Sequence, residues 1–303
     1  MANAEHFSLL TQGVESWNGW RQERRDWQPD LSGSDLRTLD LRGIDLSGAN
    51  LQRVNLSGAN LDHANLSESD LSGSDLSGVD LESVNLSGAD LRAANLLGAY
   101  LGNANLNGAN LSHTNLNRTD LNGGQLIGAH LQAASLIGAE LTRANLSQAE
   151  LQETDLSRAE LGRATLSYAN LSHANLNGTR LIGADLTGAM LEAAILEGAR
   201  LNRADLTAAT LSHAQLNGAN LLGANFTRAI LEQVDLTEAN LSGANLSDAV
   251  LAGANLSHAN LSGANLSNTD LQHANLKNAD LTGAILDNTN FSQAILPDEI
   301  VLG

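Results

Sequence analysis

The chain has 303 residues, a formal net charge of −18, 3% aromatic residues and no cysteine. Disulfide bonds are therefore excluded, and the negative charge argues against direct binding to the phosphates of nucleic acids. The aromatic side chains are too few for a usual globular core, and no apolar stretch is long enough to cross a membrane. No secretory signal is evident at the N-terminus, so we expect a cytoplasmic protein.

Residues 1–28 are predicted to form a helical cap. Their apolar and aromatic side chains recur at helical spacing, and all three tryptophans of the chain lie in this segment. The end of a repeat structure exposes an apolar core and unpaired backbone groups, so we expect one helix face to cover the first coil of the domain that follows. A helix that binds a partner is the alternative. The predicted covering face consists of Phe7, Leu10, Val14, Trp17 and Trp20.

A basic run lies at the end of this segment. Arg21, Arg24 and Arg25 are interleaved with Glu23 and Asp26. Mixed charges of this kind are typical of a solvated surface, so we expect these arginines to be exposed.

From residue 29 to residue 296 the chain repeats a five-residue unit, whose commonest form is A-N-L-S-G. Leucine occupies every fifth position from Leu31 to Leu296, except at Phe226 and Phe291. The residue two positions before each leucine is mostly Ala, and the residue directly before it is mostly Asp or Asn. Of the 28 glycines, 22 lie two positions after the leucine.

This period of five requires a regular change of chain direction. A helix turns every ~3.6 residues and a strand alternates every two, so neither keeps every fifth residue on one face. The leucines are all buried if the chain turns a corner once per unit, so that four units close a square coil and the repeat makes about 13.5 coils stacked ~4.8 Å apart. Glycine fits the third residue of a type II turn at such a corner, whereas Arg, His or Glu there predicts another turn type.

These features resemble the pentapeptide-repeat family, whose consensus is A-(D/N)-L-x-x. The resemblance covers residues 30–296 and implies an all-β fold, a right-handed quadrilateral parallel β-helix, which is preceded here by the short α-helical cap. We therefore expect a cap at 1–28, a β-helix at 29–296 and a tail at 297–303. The tail begins at Pro297, which cannot donate to a backbone ladder. If Ile300 and Leu302 do not fold over the last coil, that end becomes a surface for self-association.

Positions twenty residues apart stack on one face of such a coil, so the outward residues can be compared in columns. One column loses its Asp or Asn over four consecutive coils and becomes largely apolar. Contiguous exposed apolar surface often marks an interface, so this column is a candidate contact with a partner or with a second copy; neutral drift on a tolerant surface is the alternative. Its residues are Met190, Thr210, Ile230 and Val250.

A second face carries the densest positive patch of this acidic chain. Acidic residues precede basic ones in its column, so we expect ion pairs between neighbouring coils, each worth ~0–1 kcal/mol when exposed. A local charge ladder and a partner site are both compatible with this pattern. The patch consists of Arg163, Arg180, Arg200 and Arg203.

No catalytic, cofactor-binding or metal-binding residues are predicted. The eight histidines give no metal constellation, because those that share a column lie at least two coils, or ~10 Å, apart. Carboxylates are abundant but repeated, the glycines belong to turns, and a filled solenoid offers no deep pocket. We expect neither enzymatic activity nor a cofactor.

The sequence favours a non-enzymatic structural or protein-binding scaffold with an unknown protein partner. The resemblance also implies a regulatory role as one option, because members of that family in cyanobacteria include regulators of cell differentiation. We expect a monomer, or a dimer formed through the C-terminal end or the apolar column, and no contact with membranes. The alternative is an acidic DNA mimic that inhibits a type II topoisomerase such as gyrase, as part of that family does. Against it, Asp is mixed with Asn along the columns, which we interpret as interchangeable use of the two residues.

Overall fold

The computed structural model describes residues 2–24 and 26–298, in two compact units, Met1–Glu150 and Leu151–Gly303. Each unit is described by itself. Two helices open the first unit, α1 at Ala4–Leu10 and α2 at Val14–Glu23. From residue 30 to residue 295 both units consist of square coils, whose sides are joined by parallel bridges between residues twenty positions apart, such as Asp35 and Asn55. Arg25 and the tail residues Ile300 and Leu302 lie outside the described residues.

In a typical five-residue unit the backbone N–H groups find acceptors, several of them in the next coil, as the unit around Leu51 illustrates. The N–H of Leu51 donates to Asp70 O (2.7 Å), and the N–H of Arg53 donates to Ser72 O (3.0 Å). The N–H of Val54 closes the turn onto Leu51 O (3.2 Å). Buried backbone groups without partners are costly, and an insertion would break this pattern of hydrogen bonds.

Two inward positions per unit fill the core. The leucines from Leu31 to Leu276 and Phe226 are almost completely buried, and the small residues two positions before them are buried as well. Where that small residue is Thr or Ser, its hydroxyl usually donates to a backbone carbonyl, as Thr119 Oγ1 does to Leu116 O (2.7 Å). The predicted frame of buried leucines is therefore confirmed as far as Leu281, whereas Leu286 and Phe291 are half-buried and Leu296 is exposed.

The corners differ from the prediction at residues other than glycine. The third residue of each turn, at every fifth position from 33 to 293, has a positive φ. Examples other than glycine are Arg53 (54°), His63 (56°) and Glu68 (58°). The expectation of another turn type at Arg, His or Glu was wrong. At most of these corners the N–H of this residue donates to the next coil, and this hydrogen bond favours the same corner conformation whatever side chain the residue carries.

The predicted cap is helical, but it consists of two helices and not one. Gly13 has φ 106° and ψ 167°, a conformation that only glycine adopts readily, and it directly precedes α2. Of the predicted covering face, Trp17 and Leu10 are buried, Val14 and Trp20 are half-buried, and Phe7 is exposed.

The cap binds the open edge of the first coil by imitating a further coil. Trp17 Nε1 donates to Asp45 O (2.7 Å), and Asn18 both donates to Gly43 O (2.9 Å) and accepts from Asp45 N (2.8 Å). On another side, the Asp30 N–H donates to His6 Nδ1 (3.0 Å). These contacts satisfy backbone groups that would otherwise form an exposed sheet edge.

Arg21 corrects the expectation that the basic run is solvated. Its side chain is 3% exposed, and its guanidinium donates to the carbonyls of Trp27 (2.7 Å) and Ser47 (2.8 Å). Arg24 is half-buried, and its guanidinium carbon lies 5.8 Å from the ring centroid of Trp20 and 6.0 Å from that of Trp27. Arginine thus joins the cap to the β-helix instead of facing water.

Candidate functional site

The outward side chain before each leucine usually performs two structural tasks. Its carbonyl or carboxylate oxygen accepts the N–H two residues later, as Asp30 Oδ1 does from Ser32 (3.0 Å), and this bond lowers the pKa of the Asp30 carboxyl. An Asn in this position also donates its Nδ2 to the residue twenty positions earlier, as Asn85 does to Asn65 (3.1 Å). The outward columns are therefore hydrogen-bonded ladders.

These ladders have a direction that the sequence analysis missed. In one, Asn65 donates to Asp45, Asn85 to Asn65 and Asn105 to Asn85. Ionised Asp can accept but cannot donate, so it fits the start of such a ladder and not its interior. Asp and Asn are therefore not interchangeable, contrary to our interpretation of the sequence.

The predicted apolar column, which we call the stripe, interrupts this pattern in the second unit. Met190, Thr210, Ile230 and Val250 are bridged one to the next in parallel register. Met190 is 41% and Ile230 is 40% exposed, while the other two are half-buried. The four side chains thus form one continuous outward row, as the register of twenty predicts.

The stripe also leaves backbone donors free. Ser172 N and Gln272 N, in the coils at either end, donate to Asn170 Oδ1 (3.1 Å) and Asp270 Oδ1 (3.0 Å). Within the described second unit, the corresponding N–H groups beside the four stripe residues have no protein acceptor. The stripe therefore combines apolar side chains with outward backbone donors. These N–H groups belong to Glu192, Ser212, Glu232 and Ala252.

Tyr168 extends this surface, and the sequence analysis did not identify it. It lies at a corner with φ 58°, is 62% exposed, and its ring lies over Gly188 so closely that a Cβ there would be 2.6 Å from the ring. Met190 follows Gly188 by two residues. The signal that could have located Tyr168 is a tyrosine twenty positions before a glycine, since only glycine leaves room for the ring at that corner.

Charged residues lie along both edges of the stripe. The corner that follows it carries Glu192 and Glu232, both exposed, and the corner that precedes it carries Arg228 and Asp248, also exposed. An apolar centre with a charged rim is the usual anatomy of a protein interface.

The predicted positive patch lies on another side of the second unit. Arg180 and Arg200 are bridge partners, and Arg180 Nε lies 3.2 Å from Glu160 Oε2, which is the expected ion pair between coils. Arg163 and Arg203 lie at corners two coils apart, where their side chains lie over Gly183 and Gly223. All four arginines are exposed.

Two features of the described residues bear on metal binding and on pockets. No group of three His, Cys, Asp or Glu in this part of the chain could hold a metal ion. The depressions found on the surface are open grooves, of which one in the first unit lies beside Tyr100, Asp80 and Glu82. Neither described helix has the length and apolar character to cross a membrane.

The fold defines a β-solenoid, and comparison with known proteins gives the family. The profile of pentapeptide repeats matches eight times, over residues 30–67, 49–88, 85–123, 125–163, 159–198, 204–243, 229–268 and 259–297. The chain belongs to the pentapeptide-repeat family, and its two units have the right-handed quadrilateral β-helix of that family.

Three solved structures illustrate the similarity. HetL, a pentapeptide-repeat protein involved in heterocyst differentiation regulation from the cyanobacterium Nostoc sp. strain PCC 7120, is 35% identical over 86% of this chain and 91% of its own, with a TM-score of 0.32. Rfr23 from the cyanobacterium Cyanothece 51142 is 39% identical over 30% of this chain and 63% of its own, with a TM-score of 0.30. A trypsin-treated form of QnrB1, a plasmid-mediated fluoroquinolone resistance protein, is 22% identical over 51% of this chain and 89% of its own, with a TM-score of 0.38. No curated protein matches the chain.

Proposed function

We propose that the chain is a non-enzymatic scaffold that binds a protein partner through the stripe. The observation that carries this proposal is the loss of the polar ladder over four consecutive coils, which exposes Met190 and Ile230 beside free backbone donors. Apolar side chains at these positions contribute nothing to the core, so their support for a binding role is independent of the fold.

Photo-cross-linking in the producing cell tests this function. A photoreactive residue at position 230 should give a covalent adduct with another protein, whereas one at position 240, which lies two corners later on the opposite side, should not. The triple variant Met190→Asn, Ile230→Asn and Val250→Asn restores the family pattern, so it should fold and lose the adduct when the probe is moved to Tyr168. If the original chain forms no adduct from position 230 and none from position 168, the scaffold function is wrong.

The patch of Arg163, Arg180, Arg200 and Arg203 is a second candidate contact, with an acidic partner. It is supported by the exposure of all four guanidinium groups on a chain with net charge −18. The ion pair of Arg180 with Glu160 favours a local charge ladder, so the stripe remains the principal surface of the proposal. Self-association through the C-terminal end also stays a prediction, supported by Ile295 and Leu296, which are 57% and 38% exposed.

An acidic DNA mimic is the alternative function, and its support is the net charge of −18. The ladders weaken it, because neutral Asn separates the carboxylates in several columns, although Asp70 and Asp90 stack directly in another. In the column of Asp35, Asn55, Asp75 and Asn95, every second coil is uncharged. We therefore retain the scaffold as the proposed function.

A further inference from the structure

The dimensions of the stripe limit what can bind it. Four coils span three intervals of ~4.8 Å, or ~14 Å, and one side of a coil is about three residues, or ~10 Å, wide. That area is on the order of 150 Å², far below the ~800 Å² that each partner buries in a stable interface. A stable dimer would therefore need contacts beyond the stripe, whereas a narrow, elongated ligand matches the length and width of the stripe.

The spacing of the stripe favours a helical ligand over an extended one. Side chains on one face of an α-helix recur with each turn of ~5.4 Å. Three turns therefore span ~16 Å, which is ~2 Å longer than the stripe. Side chains on one face of a strand recur every ~6.7 Å. Three such intervals span ~20 Å, which is ~6 Å longer than the stripe. A single helix, ~10 Å in diameter, also matches the width of one side.

The rim determines the charge of this ligand. Glu192 and Glu232 lie on the same corner two coils, or ~9.6 Å, apart. Residues seven apart on a helix are separated by ~10.5 Å along its axis, so two basic side chains at this interval would lie opposite the two glutamates. Arg228 and Asp248, on the other corner, carry opposite charges, so that flank selects for no single sign of charge.

We propose that the stripe binds one amphipathic α-helix of a partner protein, with an apolar side chain on each of four successive turns and two basic side chains seven residues apart on the flank that faces Glu192 and Glu232. This inference rests on the proposed function, because it names the kind of partner that the scaffold binds. Tyr168 packs against the end of the helix that lies nearest Met190, since its exposed ring extends the surface by one coil.

Fluorescence anisotropy with synthetic helices tests the inference on the full-length chain. The probe is a labelled, covalently stapled peptide of about 18 residues, with one Leu per turn over four turns and two Lys seven residues apart on one flank. We expect saturable binding, weakened about ten-fold or more by Ile230→Asn and by the double variant Glu192→Lys and Glu232→Lys. The matched double variant Glu197→Lys and Glu238→Lys, at exposed positions off the rim, should bind like the original chain.

Charge reversal in the peptide supplies the decisive comparison. A peptide with Glu in place of both Lys should bind poorly to the original chain and regain affinity for the Glu192→Lys and Glu232→Lys variant. The inference would be overturned if the original chain, Ile230→Asn and the two double variants all bound the stapled peptide equally. An unstapled, extended peptide that binds as tightly as the stapled one would also overturn it. So would a dimer in sedimentation equilibrium that Ile230→Asn converts to a monomer, because a second copy would then occupy the stripe.

The two proposals can fail separately. If position 230 forms an adduct with another protein in cells but the helical peptides neither bind nor compete, the scaffold function stands and the helical partner does not. Circular dichroism and the denaturation midpoint of each variant show whether a loss of binding reflects a loss of fold.

Discussion

At the scale of single residues, the corners show how strongly the stack controls the backbone. Thirty-one residues other than glycine hold a positive φ between residue 33 and residue 293, alongside twenty-two glycines. The left-handed region costs an L-residue ~1 kcal/mol or more relative to glycine. Most of these residues, for example Arg53, donate their N–H to the next coil, and this hydrogen bond offsets the cost.

Two glycines in successive turns, at different positions of the turn, allow a direct test of this cost. Gly108 has φ 65°, whereas Gly102 lies outside the left-handed region, and a Cβ at either position would meet no atom within 4 Å. We expect Gly108→Ala to lower the free energy of unfolding by ~1 kcal/mol and Gly102→Ala to leave it unchanged or raise it slightly. Urea denaturation of both variants is the measurement. Equal effects would show that the corner conformation costs nothing.

The sequence predicted the glycine corners but not the others, and the reason is physical. Local preference alone places Gly at φ > 0, whereas His63 and Glu68 hold that conformation because hydrogen bonds between coils outweigh their local preference. The leucine frame was predictable because burial depends only on the period. Tyr168 was missed because its importance depends on Gly188 in the next coil, a relation that the five-residue period does not display.

At the scale of elements, the direction of the polar ladders predicts that exchanges of Asp and Asn are unequal. Asn95 donates to Asp75 Oδ1 (3.1 Å) and accepts from Asn115 Nδ2 (2.9 Å). Asn95→Asp removes the donor and places two carboxylates in contact, whereas Asp75→Asn keeps the acceptor for Ser77 N (3.0 Å).

We expect Asn95→Asp to destabilise the chain at pH 7 by ~1–3 kcal/mol and Asp75→Asn to change its stability by less than ~0.5 kcal/mol. The loss of stability in Asn95→Asp should shrink as the pH falls. Repulsion between the two carboxylates raises the pKa of one of them above its unfolded value, and binding of a proton there relieves the repulsion. Thermal denaturation between pH 4 and pH 7 measures both effects. A loss that grows on acidification would contradict the ladder.

The cap offers a second prediction at this scale. Asn18 supplies both a donor and an acceptor to the edge of the first coil, whereas Gln22, on the same helix, is exposed. We expect Asn18→Ala to lower the free energy of unfolding by ~1–3 kcal/mol because it leaves Gly43 O and Asp45 N unpaired, and Gln22→Ala to have no measurable effect. Hydrogen exchange at Asp45 reports the change locally. Unaltered exchange in Asn18→Ala would mean that the cap does not protect this edge.

The cap also shows where prediction from sequence ends. Helical spacing identified Trp17 and Leu10 as buried, but no spacing rule anticipates the break at Gly13 or the burial of Arg21. Arg21 is buried because carbonyl oxygens at the edge of the solenoid need donors, and that need is visible only once helix and coil lie together.

At the scale of the whole molecule, the net charge of −18 fits a DNA mimic, but the spacing of the carboxylates favours the scaffold. Each strand of duplex DNA carries one charge per ~3.4 Å, whereas one column with a carboxylate on every second coil carries one per ~9.6 Å. We expect no inhibition of gyrase supercoiling at micromolar protein, with a known pentapeptide-repeat inhibitor as the positive control. Inhibition that persists in the stripe variant Ile230→Asn would favour the DNA mimic.

The register of twenty residues also constrains how such a chain can change in length. Deleting one unit, for example residues 195–199, would rotate every later position by a quarter turn, so that Met190 and Ile230 would face in different directions. Deleting four consecutive units would keep the later positions in phase. Genes that preserve a working surface of this kind should therefore gain and lose DNA in steps of sixty base pairs, roughly one coil at a time.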